Sequence, residues 1–344
     1  MDLPKLFPAH RVQPPAVLVL GSPGEVVHLM REIGDRISLS KFPVTCYQMD
    51  LYQAERLEQA LAENGLPGRV VTAPDLWDLP AEFQTAIYPA PQGGERMLKL
   101  DMVEQAFHVL RPRGVLVVSS PYQKEQFFPG VLKKIFGRVH APASNPEILW
   151  CRRERERKRR RHEVTFQARL APETSLRFLS RPGVFSYGRF DDGARALVET
   201  MHIEPGDRVL DVGCGCGTNG VWAGRLSGPR GFTAFVDSNV RATALAEVNA
   251  RANGLTDFQV VASSRVEGVP AGFDVALANP PYFAQASIAQ LFIERCRALL
   301  RPGGRFYLVT RQPDQVGPLA AEAFGRTDVV ERRGYIVLCA RAPG

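Results

Sequence analysis

Asn279-Pro280-Pro281-Tyr282 is the stretch of this 344-residue chain whose residue types are best suited to chemistry. Two consecutive prolines fix the backbone and remove two N–H donors, so the Asn279 side-chain oxygen and the Pro280 carbonyl can converge as acceptors on one external group. A planar exocyclic amine suits that pair. Accepting its two N–H groups would draw the nitrogen lone pair out of conjugation and aim it at a sulfonium methyl. Tyr282 adds a flat face on which the rest of a substrate would stack.

A second constellation lies upstream. Arg208–Val212 reads as a buried strand that runs into Gly213-Cys214-Gly215-Cys216-Gly217-Thr218-Asn219-Gly220 and then into a helix pattern. Glycines there permit positive φ and leave no Cβ to obstruct a ligand against the backbone. Taken alone, this loop also fits a dinucleotide, because Gly215–Gly220 formally matches GxGxxG. Asp211 shifts the balance: an acid at the strand end can meet the amino group of a methionine moiety and would repel a pyrophosphate. Asp237, closing the next strand-like run, is placed to accept hydrogen bonds from both ribose hydroxyls; capping the following helix is its plainer alternative.

The six cysteines are scattered, with no repeated CxxC spacing, and Cys214 and Cys216 read as small residues of a tight loop. Reduced thiols and no metal are expected. There is no run of about eighteen apolar residues, and the Pro-rich N-terminus lacks the order of a signal peptide, so no membrane contact and a soluble, cytoplasmic protein are expected.

To position these motifs the chain must build parallel α/β units, since short β-rich runs alternate with helix patterns from about Pro15 to the end. The last helix is expected over Pro318–Phe324, after a strand at Arg305–Thr310, and a closing hairpin (Thr327–Arg333, Tyr335–Arg341) is expected to place a reversed strand at the sheet edge. The alternation breaks between Trp150 and about Arg181, where a basic run leads into a hairpin pattern.

The halves repeat. Val17-Leu18-Val19-Leu20-Gly21 resembles Val209-Leu210-Asp211-Val212-Gly213, Tyr88-Pro89-Ala90-Pro91 matches Asn279-Pro280-Pro281-Tyr282, and both halves carry Leu-Arg-Pro before a strand, all at an offset of about 190 residues. The first copy has Val19 where the second has Asp211 and lacks the glycine ladder. A catalytically dead copy is expected. The boundaries that follow are 1–150, a linker and hairpin at 151–180, and a catalytic domain at 181–344.

The chain's net charge is +7, and six of those charges fall in Cys151–His162, with seven Arg, one Lys and two Glu. Such a block fits contact with a polyanion through Arg152, Arg153, Arg157, Lys158, Arg159, Arg160 and Arg161. Glu154/Lys158 and Glu156/Arg160 at i,i+4 spacing equally permit a solvated, self-paired linker.

With these residues in view, the sequence resembles the class I methyltransferases that modify exocyclic or amide nitrogens. More narrowly it is similar to the bacterial ribosomal RNA guanine-N2 methyltransferases built as tandem methyltransferase-like domains, the first degenerate. The resemblance covers nearly the whole chain, including Arg181-Pro182-Gly183-Val184-Phe185-Ser186 ahead of the second sheet. It implies two tandem Rossmann-like domains, the second with a seven-stranded, mostly parallel sheet and a terminal antiparallel strand. It also implies S-adenosyl-L-methionine as cofactor, held by Asp211, Gly213, Gly215, Gly217 and Asp237, with Ala262 and Ser263 near the adenine and Asn279 at the methyl. Phe185 and Ser186 would border the pocket. Ribosomal RNA would be the partner of a monomeric enzyme.

Two positions depart from the pattern: many relatives carry Asp at or beside Ala262, and guanine-modifying members often have Phe where this chain has Tyr282. An adenine-N6 or protein glutamine-N5 acceptor therefore stays open, as does a non-catalytic RNA-binding assembly protein.

Overall fold

The computed structural model describes residues 12–35, 37–80, 82–120, 127–141, 147–171, 174–281 and 286–344. The chain divides into two compact units, Met1–His162 and Glu163–Gly344.

The first unit comprises β1 (Ala16–Val19), α1 (Pro23–Gly34), β2 (Val44–Gln48), α2 (Leu51–Glu63), β3 (Gly68–Thr72), β4 (Phe83–Pro89), α3 (Arg96–Val109), β5 (Leu110–Ser119), α4 (Phe127–Phe136) and β6 (Ile148–Arg152). Its sheet has the order β3-β2-β1-β4-β5-β6 and is parallel except for β6, which runs against β5. β1 is a continuous apolar run buried along its whole length, as a strand covered on both faces must be.

The second unit opens with a hairpin, β7 (Val164–Ala171) and β8 (Thr174–Ser180). There follow α5 (Asp192–Thr200), β9 (Arg208–Val212), α6 (Thr218–Ser227), β10 (Phe232–Asp237), α7 (Val240–Ala252), β11 (Phe258–Ala262), β12 (Phe273–Ala278), α8 (Ala286–Leu299), β13 (Leu300–Thr310), α9 (Pro313–Phe324), β14 (Thr327–Arg332) and β15 (Tyr335–Arg341). The sheet order is β11-β10-β9-β12-β13-β15-β14.

The two sheets correspond strand for strand through the first five, and β6 occupies the place of β15. Where β14 would flank it, the first unit has a single antiparallel bridge, His140 to Trp150. This is the duplication expected from the sequence, with the seventh strand reduced to one residue pair among the described residues.

Three expectations need correction. The reversed strand β15 is not at the sheet edge but lies between β13 and β14, antiparallel to both. The crossover through α9 sets β14 parallel to β13 one strand-width away, and the two-residue turn Arg333-Gly334, both at positive φ, returns the chain into the gap. α9 begins at Pro313 rather than Pro318, with a proline tolerated in its first turn and another inside it. The division between units falls at 162/163, because the basic run continues from β6 of the first unit while the hairpin packs on the second.

That packing is specific: Asn249 of α7 accepts from Leu179 N and donates to Leu179 O, at 2.8 and 2.9 Å. Among the described residues, no helix is long and apolar enough to cross a membrane.

Candidate active site

At the C-terminal end of β9 the chain turns through Gly213–Gly217 before α6 begins, the position at which open α/β sheets bind ligands. Gly213 is at φ +68, a conformation that costs a side-chain-bearing residue, and any Cβ there would also meet the Phe292 ring at 2.7 Å. Asp211 lies just beneath, 1% exposed, with Oδ2 accepting from Gly220 N at 2.8 Å. Its other oxygen, Oδ1, is buried without a hydrogen-bond partner, and so is Oδ1 of Asn219 in the first turn of α6. Burial raises the Asp211 carboxyl from 3.8 to about 7, opposed by the Gly220 N–H and reinforced by the charge of Asp237. Two orphaned buried acceptors, one of them acidic, are what a cationic amino group would satisfy.

Asp237 closes the neighbouring strand. Its carboxylate accepts from Gly215 N at 2.8 Å and from Asn239 N at 2.9 Å, which ties the glycine loop to β10. Asn239, not Asp237, caps α7, so the helix-capping alternative for the acid does not hold. A carboxylate has lone pairs to spare for diol hydroxyls beyond these two bonds. Ala262 pairs with Asp237 across the ladder and Ser263 N donates to Asp237 O at 2.9 Å, so both stand at the same sheet end. The Ser263 hydroxyl accepts from Glu267 N at 2.9 Å and serves its own turn.

Asn279 follows directly on β12, half-buried, with Pro280 buried and Pro281 exposed. It lines one cleft with Phe185, Ser186, Arg189, Asp191, Asn219 and the loop from Gly213 to Cys216. The strand order explains the meeting, because β12 pairs directly with β9 and their C-terminal ends emerge side by side. Phe185 is exposed at the rim, and Ser186 is held at φ +58. The segment bearing them is pinned from below: fully buried Arg241 donates to Pro182 O at 2.6 Å, and Asn239 donates to Gly183 O at 2.8 Å. Tyr282 lies outside the described residues.

The profile of the methyltransferase small domain family matches residues 175–339. The matched stretch lies within the second unit. Curated relatives include the ribosomal RNA small subunit methyltransferase C of Hahella chejuensis, 34% identical over 157 residues, which are 42% of this chain and 45% of that protein. The protein of the same name from Chromohalobacter salexigens is 34% identical over 200 residues, 53% of this chain and 59% of that one. The chain spans about half the length of these curated relatives. A solved structure described as T. thermophilus 16S rRNA N2 G1207 methyltransferase in complex with AdoMet and guanosine matches 99% of this chain and 91% of its own, with a TM-score of 0.74 and 22% identity. Its likeness extends over both units, so the tandem fold is shared.

The second unit thus collects Asp211, the three loop glycines, Asp237, Ala262, Ser263 and Asn279 at one end of one sheet. Sequence reasoning missed Asn219, Asp191 and Asn249. Asn249 is buried in mid-helix and donates to Cys216 O at 2.8 Å, so it clamps the glycine loop to α7. A polar residue at helical spacing from Ala242, Leu245 and Ala246 was its one available signal. Cys214 and Cys216 are buried thiols; burial pushes Cys216 up to about 12 and Cys214 well above its usual range. Among the described residues, no group of three His, Cys, Asp or Glu could hold a metal.

The first unit has the same end but different groups. Gln48 stands for Asp237, and the ladder registers put Leu18, rather than the Val19 expected from the sequence, in the place of Asp211: Leu18 pairs with Cys46 and Ile87 as Asp211 pairs with Phe235 and Leu277. Only residues 20–22 separate β1 from α1. The Gln48 amide donates to Gly21 O at 2.8 Å, filling with protein the place where an acid would meet a ligand.

The basic run beyond Arg152 is not helical, so the i,i+4 pairings do not form. Glu156 pairs instead with Arg153, whose guanidinium also donates to Leu110 O. Arg157 reaches Glu104, a buried carboxylate of α3, at 3.0 Å. Arg159 and Arg161 lie over the Trp77 ring, at 5.7 and 6.0 Å. Arg152, Lys158, Arg159, Arg160 and Arg161 are exposed.

Proposed function

We propose that the protein transfers the methyl group of S-adenosylmethionine to an exocyclic amine of RNA, guanine N2 of ribosomal RNA. The observation that carries this is the placement of Asn279 in one cleft with a glycine loop whose neighbouring Asp211 and Asn219 present unpaired buried acceptors. Asp211 and Asn219 would take the cofactor's amino group and Asp237 its ribose, with the glycine loop against the methionine side and Ala262 and Ser263 beside the adenine. Bound there, the cofactor supplies an electrophilic methyl group.

The protein's own part is positioning. Asn279 and the Pro280 carbonyl accept the two N–H groups of the amine and hold its lone pair toward the loop. Phe185 at the rim offers an exposed face for the base. The guanine acceptor is supported by the names of the relatives and by the guanosine in the solved structure of like fold. An edge amine of a paired base must be freed first, so naked or partly assembled RNA is the better substrate. The exposed cations Arg152, Lys158, Arg159, Arg160 and Arg161 would engage phosphates, with Arg153 and Arg157 holding their segment in place. The expected setting is a cytoplasmic monomer.

Nucleoside mass spectrometry of RNA incubated with the protein and labelled cofactor tests this. The wild type should yield N2-methylguanosine, and Asn279→Ala should lower turnover by at least about a hundredfold while cofactor affinity is kept. Label found in N6-methyladenosine or in protein glutamine instead would overturn the guanine acceptor. Full activity of Asn279→Ala would overturn the role of the motif.

A further inference from the structure

We propose that Asp191 is a positioning residue that sets which way the Asn279 carboxamide faces. The inference rests on the methyl-transfer reading and assigns a role to a residue that neither motif contains.

A carboxamide has two chemically opposite ends of nearly equal size, and only the oxygen can accept an amine N–H. An Asn at this position reversed by 180° would present its own NH2 to the substrate nitrogen and repel it. Something must break the symmetry. Asp191 supplies that discrimination: its Oδ2 lies 3.4 Å from Asn279 Nδ2, across 88 residues of chain. A carboxylate offers acceptors alone, so the end of Asn279 beside it has to be the NH2 end. Oδ1 is then the end turned away from Asp191. Orientation is dictated here by donor and acceptor logic rather than by steric fit.

Asp191 is itself fixed. It caps α5, with Oδ2 accepting from Ala194 N at 2.9 Å, and its backbone is extended at φ −65 and ψ 139. Because α5 packs on α6 and on β13, the carboxylate is held by the same sheet that carries Asn279. Asp191 also lines the cleft beside Asn279, so its position is within the site rather than behind it.

The test separates orientation from folding. Asp191→Ser keeps a good N-cap but withdraws the carboxylate from Asn279. It should lower kcat about tenfold or more while KM for RNA and Kd for S-adenosylmethionine stay within about twofold. Asn279→Asp places two carboxylates face to face and removes the donor, and should be nearly inactive. Adding Asp191→Asn to Asn279→Asp restores a donor on one side and leaves an acceptor on the other, so the double variant should regain activity over Asn279→Asp.

A kcat for Asp191→Ser within twofold of the wild type, or a double variant no better than Asn279→Asp, would overturn the proposal. A further readout does not need turnover: the side-chain N–H resonances of Asn279, assigned by their loss in Asn279→Ala, should move in Asp191→Ser. Unmoved resonances sink the contact whatever the enzyme methylates, whereas shifted resonances with no RNA product from the wild type would sink only the methyl-transfer reading.

Discussion

The chemical character of the site is concentrated in Asp211, whose isolation beneath the glycine loop makes it expensive to ionise. A rise from 3.8 to about 7 at roughly 1.4 kcal/mol per unit puts that expense at about 4 kcal/mol in the ligand-free protein above neutral pH. Between the unfolded and folded values the native state holds a proton that the unfolded chain has released, so stability from this group falls as pH rises from about 4 to about 7 and is level above. The groups facing it are the Gly220 N–H, which stabilises the anion, and Asp237, which opposes it, while Cys214, Cys216 and Cys296, raised chiefly by burial, are raised further by its charge.

A cationic ligand reverses the preference and favours the carboxylate. Calorimetry should therefore show S-adenosylmethionine binding more tightly as pH is raised from 5.5 to 7.5, with protons released at the low end. Asp211→Asn should bind weakly throughout and lose this dependence; an unchanged pH profile in that variant would remove Asp211 from the amino-group site. In melting experiments without ligand, the same variant should lose the decline in stability across that window.

At the scale of elements, what could be read from the sequence was whatever is local in it. The strand, glycine loop and helix around Asp211 declare themselves because one backbone path fixes them all, and Asn279-Pro280 declares itself because two prolines leave little else to do. Asn219, Asp191 and Asn249 did not, since each acquires meaning only when the order β12-β9-β10 brings separate segments together. The basic run misled in another way. Eight cations read as one block for a polyanion, but Arg157 is committed to Glu104, and Glu104 is hidden because α3 is buried from Asp101 through Val109, a burial its mixed sequence does not announce.

The cations should therefore separate by experiment. Arg157→Ala strands a buried carboxylate and should destabilise the first unit by about 2 kcal/mol, visible in chemical denaturation. Replacing exposed Arg152, Lys158 and Arg160 with Gln should leave stability unchanged, weaken RNA binding and reduce its salt dependence by about one unit of slope per lost phosphate contact. An unaltered salt slope would take this segment out of the RNA interface.

Over the whole molecule, two sheets of one ancestry have kept their order and parted in their chemistry. The first retains the strands, the helix starts and even a remnant of the last strand at His140, so its fold has been preserved while its ligand end has been rebuilt. The rebuilding is not one lost residue. An acid has become Leu18, buried among apolar neighbours; the second acid has become Gln48, which now bonds to the loop it would have shared with a ligand; and five loop residues have become three.

Each change removes a different part of the recognition, and no single substitution would restore it. The full chain should accordingly bind one equivalent of S-adenosylmethionine per polypeptide in a calorimetric titration, not two. Asp211→Asn, at concentrations that saturate the wild type, should leave no high-affinity binding at all. A second equivalent in the wild type, or one tight equivalent surviving in Asp211→Asn, would mean that the first unit has kept a cofactor site that Leu18 and Gln48 argue against, and the division of labour between the two copies would have to be redrawn.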